Sequence, residues 1–87
     1  MSYAFTRGRF NVHYLTAPYE LIAKALGDDG LTAPRDEDKV NAQWDLPEAE
    51  VYDYRSGLPK EDVTEWHVQG SDAGIQYLLG KLGEASA

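Results

Sequence analysis

The chain has 87 residues, is 43% hydrophobic and carries a formal net charge of −7 at pH 7. That length suits one domain, residues 1–87, with a small core, and the apolar content is too high for a disordered chain. The absence of cysteine excludes disulfides, thiolate metal sites and a cysteine nucleophile, and no apolar run approaches the roughly 18 residues that span a bilayer, so a soluble cytoplasmic protein is expected.

In chain order, Phe10, Val12 and Tyr14 alternate with Asn11 and His13, the period of a strand. The segment TAPYELIAKALG (residues 16–27) predicts a helix. Thr16 would cap it, Pro18 fits its first turn, Gly27 suits its end, and Leu21, Ile22, Ala25 and Leu26 form its apolar stripe. DDGLTAPRDEDK (28–39) has the composition of a loop. Three strands are predicted next. VNAQWDL (40–46) places Val40, Ala42, Trp44 and Leu46 on one face. EVYDYRS (50–56) places Tyr52 and Tyr54 on one face, opposite Val51, Asp53 and Arg55. VTEWHVQ (63–69) places Trp66 and Val68 opposite Val63, Glu65, His67 and Gln69. Pro47-Glu48-Ala49 reads as a hairpin connection. SDAGIQYLLGKLG (71–83) closes the chain as a helix capped by Ser71, with Asp72 at the positive end of its dipole. Its stripe is Ile75, Leu78, Leu79 and Leu82, and Gly74 and Gly80 weaken it by roughly 1 kcal/mol each. The expected fold class is α+β: a three-stranded antiparallel sheet, four-stranded if the N-terminal alternation joins it, with two helices packed on one face. Trp44, Tyr52, Tyr54, Trp66, Leu21, Ile22, Ile75, Leu78 and Leu79 form the expected core.

The motifs of catalysis and metal binding are missing. A Ca²⁺ loop of the EF-hand type needs oxygen ligands at positions 1, 3 and 5, Gly at 6 and Glu at 12. Counted from Asp28, position 3 is Gly30, position 6 is Ala33 and position 12 is Lys39. His13 and His67 lack zinc-ligand spacing. Glu65 and His67 share a strand face about 7 Å apart, but an open sheet face supplies no pocket around them. Ser56, Thr64 and Ser71 lack the setting of a nucleophile elbow, and no glycine-rich loop fits a phosphate cradle. The chain therefore reads as non-catalytic, with no cofactor and no metal. Arg7 and Arg9 with Tyr3, Phe5 and Phe10 make a small basic-aromatic patch, but two arginines on so acidic a chain release few counterions from nucleic acid.

The charge is uneven. Residues 1–27 are net +2, whereas residues 28–72 hold thirteen acids against four bases. If the aromatic residues of the strands face the helices, then Asp45, Asp53 and Glu65 face water from three neighbouring strands. Staggered carboxylates would then lie roughly 5–10 Å apart, comparable to successive phosphates on a DNA strand. Asp28, Asp29, Asp36, Glu37, Asp38, Glu61 and Asp62 would extend the same acidic surface. Such a surface repels nucleic acid and anionic membranes and attracts a basic, nucleic-acid-binding protein. A charge of this size also simply keeps a small domain soluble and monomeric.

The run DEDKVNAQWDL, EVYDYRSG, DVTEWHVQG and AGIQYLLGKL resembles small acidic proteins encoded by phages and mobile elements. They share an acidic-DK-x-x-x-x-W start, a Y-D-Y/W strand and a W-H-V/I-x-G strand before the last helix, and the resemblance covers roughly residues 16–82. In size, charge and layout the chain is similar to anti-CRISPR proteins, including ones that block Cascade by imitating DNA. That resemblance implies an inhibitor of a host nucleic-acid-binding defence complex, such as a type I CRISPR Cascade. The competing expectation is a small phage structural or accessory interaction module, in which aromatic and helical surfaces matter more than the acids.

Overall fold

The computed structural model describes residues 2–27, 31–32 and 39–87. The strands are β1 (Ala4–Thr6), β2 (Val12–Thr16), β3 (Leu31–Thr32), β4 (Gln43–Leu46), β5 (Ala49–Tyr52) and β6 (Glu65–Gly70). They form one sheet in the order β1-β2-β6-β5-β4-β3, and every pairing is antiparallel. Helix α1 spans Tyr19–Leu26, helix α2 spans Asp72–Ser86, and a 3-10 turn covers Lys60–Asp62. The α+β class is as expected, with more strands than the three or four predicted. The additions are β1 and the two-residue β3, both too short to show a period-two pattern.

Side chains opposite one another in an antiparallel pair share a face. One row on the covered face therefore runs Trp44, Val51, Val68, His13, and the next runs Trp66, Leu15, Phe5. Trp44, Val51, Val68, Trp66 and Leu15 are buried with Leu21 and Ile22 of α1 and Ile75, Leu78 and Leu82 of α2 in one core. The two helices touch each other over this face. The indoles do more than fill space. Trp66 Nε1–H donates to the Ala17 carbonyl at 2.9 Å, just before α1, and Trp44 Nε1–H donates to the Gly27 carbonyl at 3.2 Å, just after it. Both ends of a helix of 8 residues are thus tied to the sheet, which offsets the instability of so short a helix alone.

Two strands face the other way from the expectation. In β5, Val51 is in the core, while Tyr52 lies on the open face and Tyr54 is exposed. In β2, His13 and Leu15 point inward and Tyr14 outward. The alternation beginning at Phe10 fails because Phe10 and Asn11 are not strand residues. Both have positive φ, at 58° and 62°, and Val12 N–H donates to Arg9 C=O at 3.1 Å, closing a type I′ hairpin turn. Thr16 does not cap α1. Its pairing with Glu65, extended by Ala17 N–H donating to Thr64 C=O at 2.8 Å, holds it in the strand, and Pro18 takes the cap position without a side-chain bond. Gly27 ends α1 with φ 76°, and Ser71 Oγ caps α2 by accepting from Gly74 N–H, both as predicted.

The β4–β5 turn, Pro47-Glu48, rests directly on the start of α2. Glu48 C=O accepts from Ser71 N–H at 2.9 Å. Gly70, at φ 155°, and Gly74 make this approach achievable: a Cβ would lie 2.3 Å from Glu48 O at Gly70 and 2.2 Å at Gly74. Gly74 therefore weakens the helix locally but is required by packing, whereas a Cβ at Gly80 meets open space. Opposite results are expected in urea unfolding. Gly80→Ala should stabilise by up to about 1 kcal/mol, and Gly74→Ala should destabilise by about 1–3 kcal/mol as the hairpin is pushed off. Equal responses at the two positions would contradict this packing.

Candidate functional site

The helices leave the other face of the sheet uncovered, and its centre is aromatic. Tyr14, His67 and Tyr52 lie opposite one another on β2, β6 and β5. Tyr54 joins them from just beyond β5. The three phenol rings have their centroids 5.4, 5.5 and 5.8 Å from the His67 ring, for Tyr14, Tyr52 and Tyr54 respectively. Nδ1 of His67 is buried by this packing and makes no hydrogen bond. Burial pushes the Tyr52 hydroxyl pKa up, and the Glu50 carboxylate and the hydroxyls of Tyr54 and Tyr14 add to the shift. Tyr14 and Tyr54 remain 50% and 44% exposed.

Beside this row lies a groove of about 550 Å³, with Tyr14 and Thr16 on one wall, the Tyr54–Leu58 segment on the other, and Thr64, Glu65 and His67 along its length. Asp53 fixes the second wall from inside. Its Oδ1 accepts from Asn41 N–H at 2.7 Å and Ala42 N–H at 2.9 Å, and its Oδ2 accepts from Ser56 Oγ at 2.8 Å. Arg55 follows at φ 52°, with its N–H on the Lys39 carbonyl and its guanidinium 5.4 Å from the Tyr54 ring centroid.

The carboxylates do not form the expected array. Asp53 is fully buried, so it is not a surface acid: the alternation placed it outward, but its Oδ1 serves the backbone N–H groups of Asn41 and Ala42, just before β4, and its Oδ2 serves Ser56. Asp45 and Glu65 are exposed on the open face. Asp45 pairs with Glu50, which is in register with Gln69, four residues along β6 from Glu65. The two acids are thus about 13 Å apart along the strands and about 10 Å across them, well beyond successive phosphates. Gln43 Nε2 donates to both Asp45 and Glu50, at 2.9 and 3.3 Å, across what would otherwise be a like-charge pair. Glu61 and Asp62 are exposed in the 3-10 turn. Asp28, Asp29, Asp36, Glu37 and Asp38 lie outside the described residues.

Several bases are engaged with rings instead of acids. Lys60 sits over Tyr19 at 5.7 Å and Lys81 over Tyr77 at 5.6 Å, as Arg55 does over Tyr54. Arg7 and Asp72 form an ion pair at 3.2 Å. The arrangement brings together an aromatic centre, a groove and an acidic margin of Glu65 on one side and Asp45 and Glu50 on the other. Tyr52 and Tyr54 were not expected here because their bulk argued for the core, and Tyr14 because it stood out only as part of a strand's alternation. The available signal was surplus: Trp44, Trp66 and Tyr19 already pack together, with centroids 5.4–6.5 Å apart, and a core this small has little room for further rings. Among the described residues, no group of three His, Asp or Glu is placed to hold a metal ion, and no helix is long and apolar enough to cross a membrane. No protein-family model, curated protein sequence or solved structure matches this chain.

Proposed function

We propose that this chain is a non-catalytic protein-interaction module. It docks the open face of its sheet onto the basic surface of a nucleic-acid-binding protein, and in the host cytoplasm it inhibits a defence complex of that kind, such as a type I CRISPR Cascade. The observation that carries the reading is the uncovered Tyr14–His67–Tyr52 row with Tyr54 beside it. Aromatic side chains at the centre of a contact supply most of its binding energy, while charged groups at the rim contribute mainly to encounter rate and partner choice. The acids in this reading steer and orient the partner and do not imitate a run of phosphates on the sheet itself. The rings packed on His67 are phenols, and although Glu65 lines the same groove, the buried Nδ1 of His67 is hydrogen-bonded to no carboxylate, which favours binding over acid–base chemistry. The same aromatic face also favours the second reading, a structural or accessory module of a phage with no defence target.

A plaque assay separates the two. Expression in a host immune through a type I CRISPR system should restore plaquing of a targeted phage. The double variant Tyr14→Ala, Tyr54→Ala removes two half-exposed rings without opening the core, and should lower that restoration at least tenfold, about 1.4 kcal/mol of binding. Asp45→Asn with Glu65→Gln should have a smaller effect that grows at low salt, where surface charge is least screened. No restoration by the unaltered protein would eliminate the inhibitor reading. Full activity of the folded tyrosine variant would eliminate this face as the contact.

A further inference from the structure

At the opposite end of β6 from the groove, Arg7, Asn11, His13, Gly70, Ser71 and Asp72 enclose a cleft of about 440 Å³ at the N-terminus of α2. Three features converge there. The first is the helix itself, 15 residues long. Ser71 Oγ takes the Gly74 N–H and Ser71 C=O takes the Ile75 N–H, leaving the N–H groups of Asp72 and Ala73 as first-turn donors without an intrahelical partner. The second is His13, only 6% exposed. Its Nδ1 accepts from Gly8 N–H at 3.0 Å, so in the neutral imidazole the proton resides on Nε2 as a donor. Nε2 has no hydrogen-bond partner among the described residues, and His13 is one of the residues that line the cleft. The third is Arg7, whose guanidinium is anchored to Asp72 through Nη1 at 3.2 Å and retains further N–H groups.

We propose that this cleft is a phosphate-binding site, taking a phosphoryl group either as free phosphate or on a phosphorylated side chain of a partner. The donors determine the class. A first-turn backbone N–H at Asp72, an imidazole N–H and the remaining arms of a guanidinium suit the three free oxygens of a phosphoryl group better than the two of a carboxylate. The helix dipole and the +2 charge of residues 1–27 favour an anion here. The opposing field of the whole chain is screened beyond about 8 Å at physiological ionic strength. Asp72 is the one carboxylate in the cleft and opposes the ligand. It also competes for Arg7, which gives the site a test that a merely structural role would not pass.

Two-dimensional ¹H–¹⁵N NMR of the full chain reads the result directly. Inorganic phosphate should produce saturable shifts at the Asp72 and Ala73 amides and at the His13 ring nitrogens. Arg7→Gln should weaken binding at least tenfold with the spectrum otherwise unchanged, and Asp72→Asn should tighten it at least threefold. A phosphoserine peptide that binds more tightly than inorganic phosphate identifies a partner side chain as the source; inorganic phosphate binding as well or better identifies the free ion. The proposal is overturned if the shifts rise linearly without saturation, fall elsewhere, are as large with acetate, or survive Arg7→Gln unchanged.

Discussion

Trp66→Ala should lower the unfolding free energy by about 3–5 kcal/mol. At the usual per-residue range, a chain of this length has a total of about 4–13 kcal/mol, so the loss is roughly a third of the total at the upper end of that range and essentially all of it at the lower end. Trp66 is 1% exposed on the central strand, stands edge-on to Trp44 at 5.4 Å, and holds the Ala17 carbonyl at 2.9 Å. Truncation therefore creates a cavity and frees the start of α1 at once. Trp66→Phe keeps most of the apolar volume, loses the hydrogen bond, and should cost about half as much. Urea unfolding followed by circular dichroism measures both. A loss under about 1 kcal/mol for the alanine variant would mean that the core is organised around other residues.

Asp53→Ala should cost about 2–4 kcal/mol, because it strands two backbone N–H groups that have no other acceptor and removes hydrogen bonds to a carboxylate. Asp53→Asn keeps the shape and one acceptor oxygen, and should cost about half as much. The larger consequence is local. Asp53 holds the segment that carries Tyr54, Arg55 and Ser56, so amide exchange across residues 54–58 should accelerate more than elsewhere. Uniform acceleration across the sheet would instead show a purely global effect. Neutralising Asp53 together with Asp45 and Glu65 would thus confound loss of charge with loss of the groove wall, and the informative charge test leaves Asp53 intact.

The elements most legible in the sequence were those whose local chemistry had one solution. Ser71 at the start of α2, Gly27 at the end of α1 and the Pro47-Glu48 turn are of this kind. The faces of β2 and β5 were not, because both alternating sets contain apolar residues. Val51 competes with Tyr52, and Leu15 with Tyr14, and the choice depends on what lies across the strands. Val51 is opposite both Trp44 and Val68, a long-range fact absent from the segment itself. Charge misled at Asp53 for the same reason. A carboxylate reads as solvent-facing until the backbone donors of residues 41 and 42 are seen waiting for it. The cleft at α2 was beyond reach, since Arg7, His13 and Asp72 meet only through the β2–β6 pairing.

That pairing also dictates when the protein can be completed. The N-terminal hairpin and the β4–β5 hairpin do not touch each other in the sheet; the last strand, β6, lies between them. Until residues 65–70 have been synthesised, β2 and β5 each present a bare edge of unpaired backbone N–H and C=O groups, even though β4 can already pair with β3. Contacts such as Leu15 with Trp66 close a chain segment of some fifty residues, a topology that folds slowly for its size. A nascent or truncated chain ending before Glu65 would hold two unmatched edges in solution together, the condition that favours pairing between molecules over pairing within one.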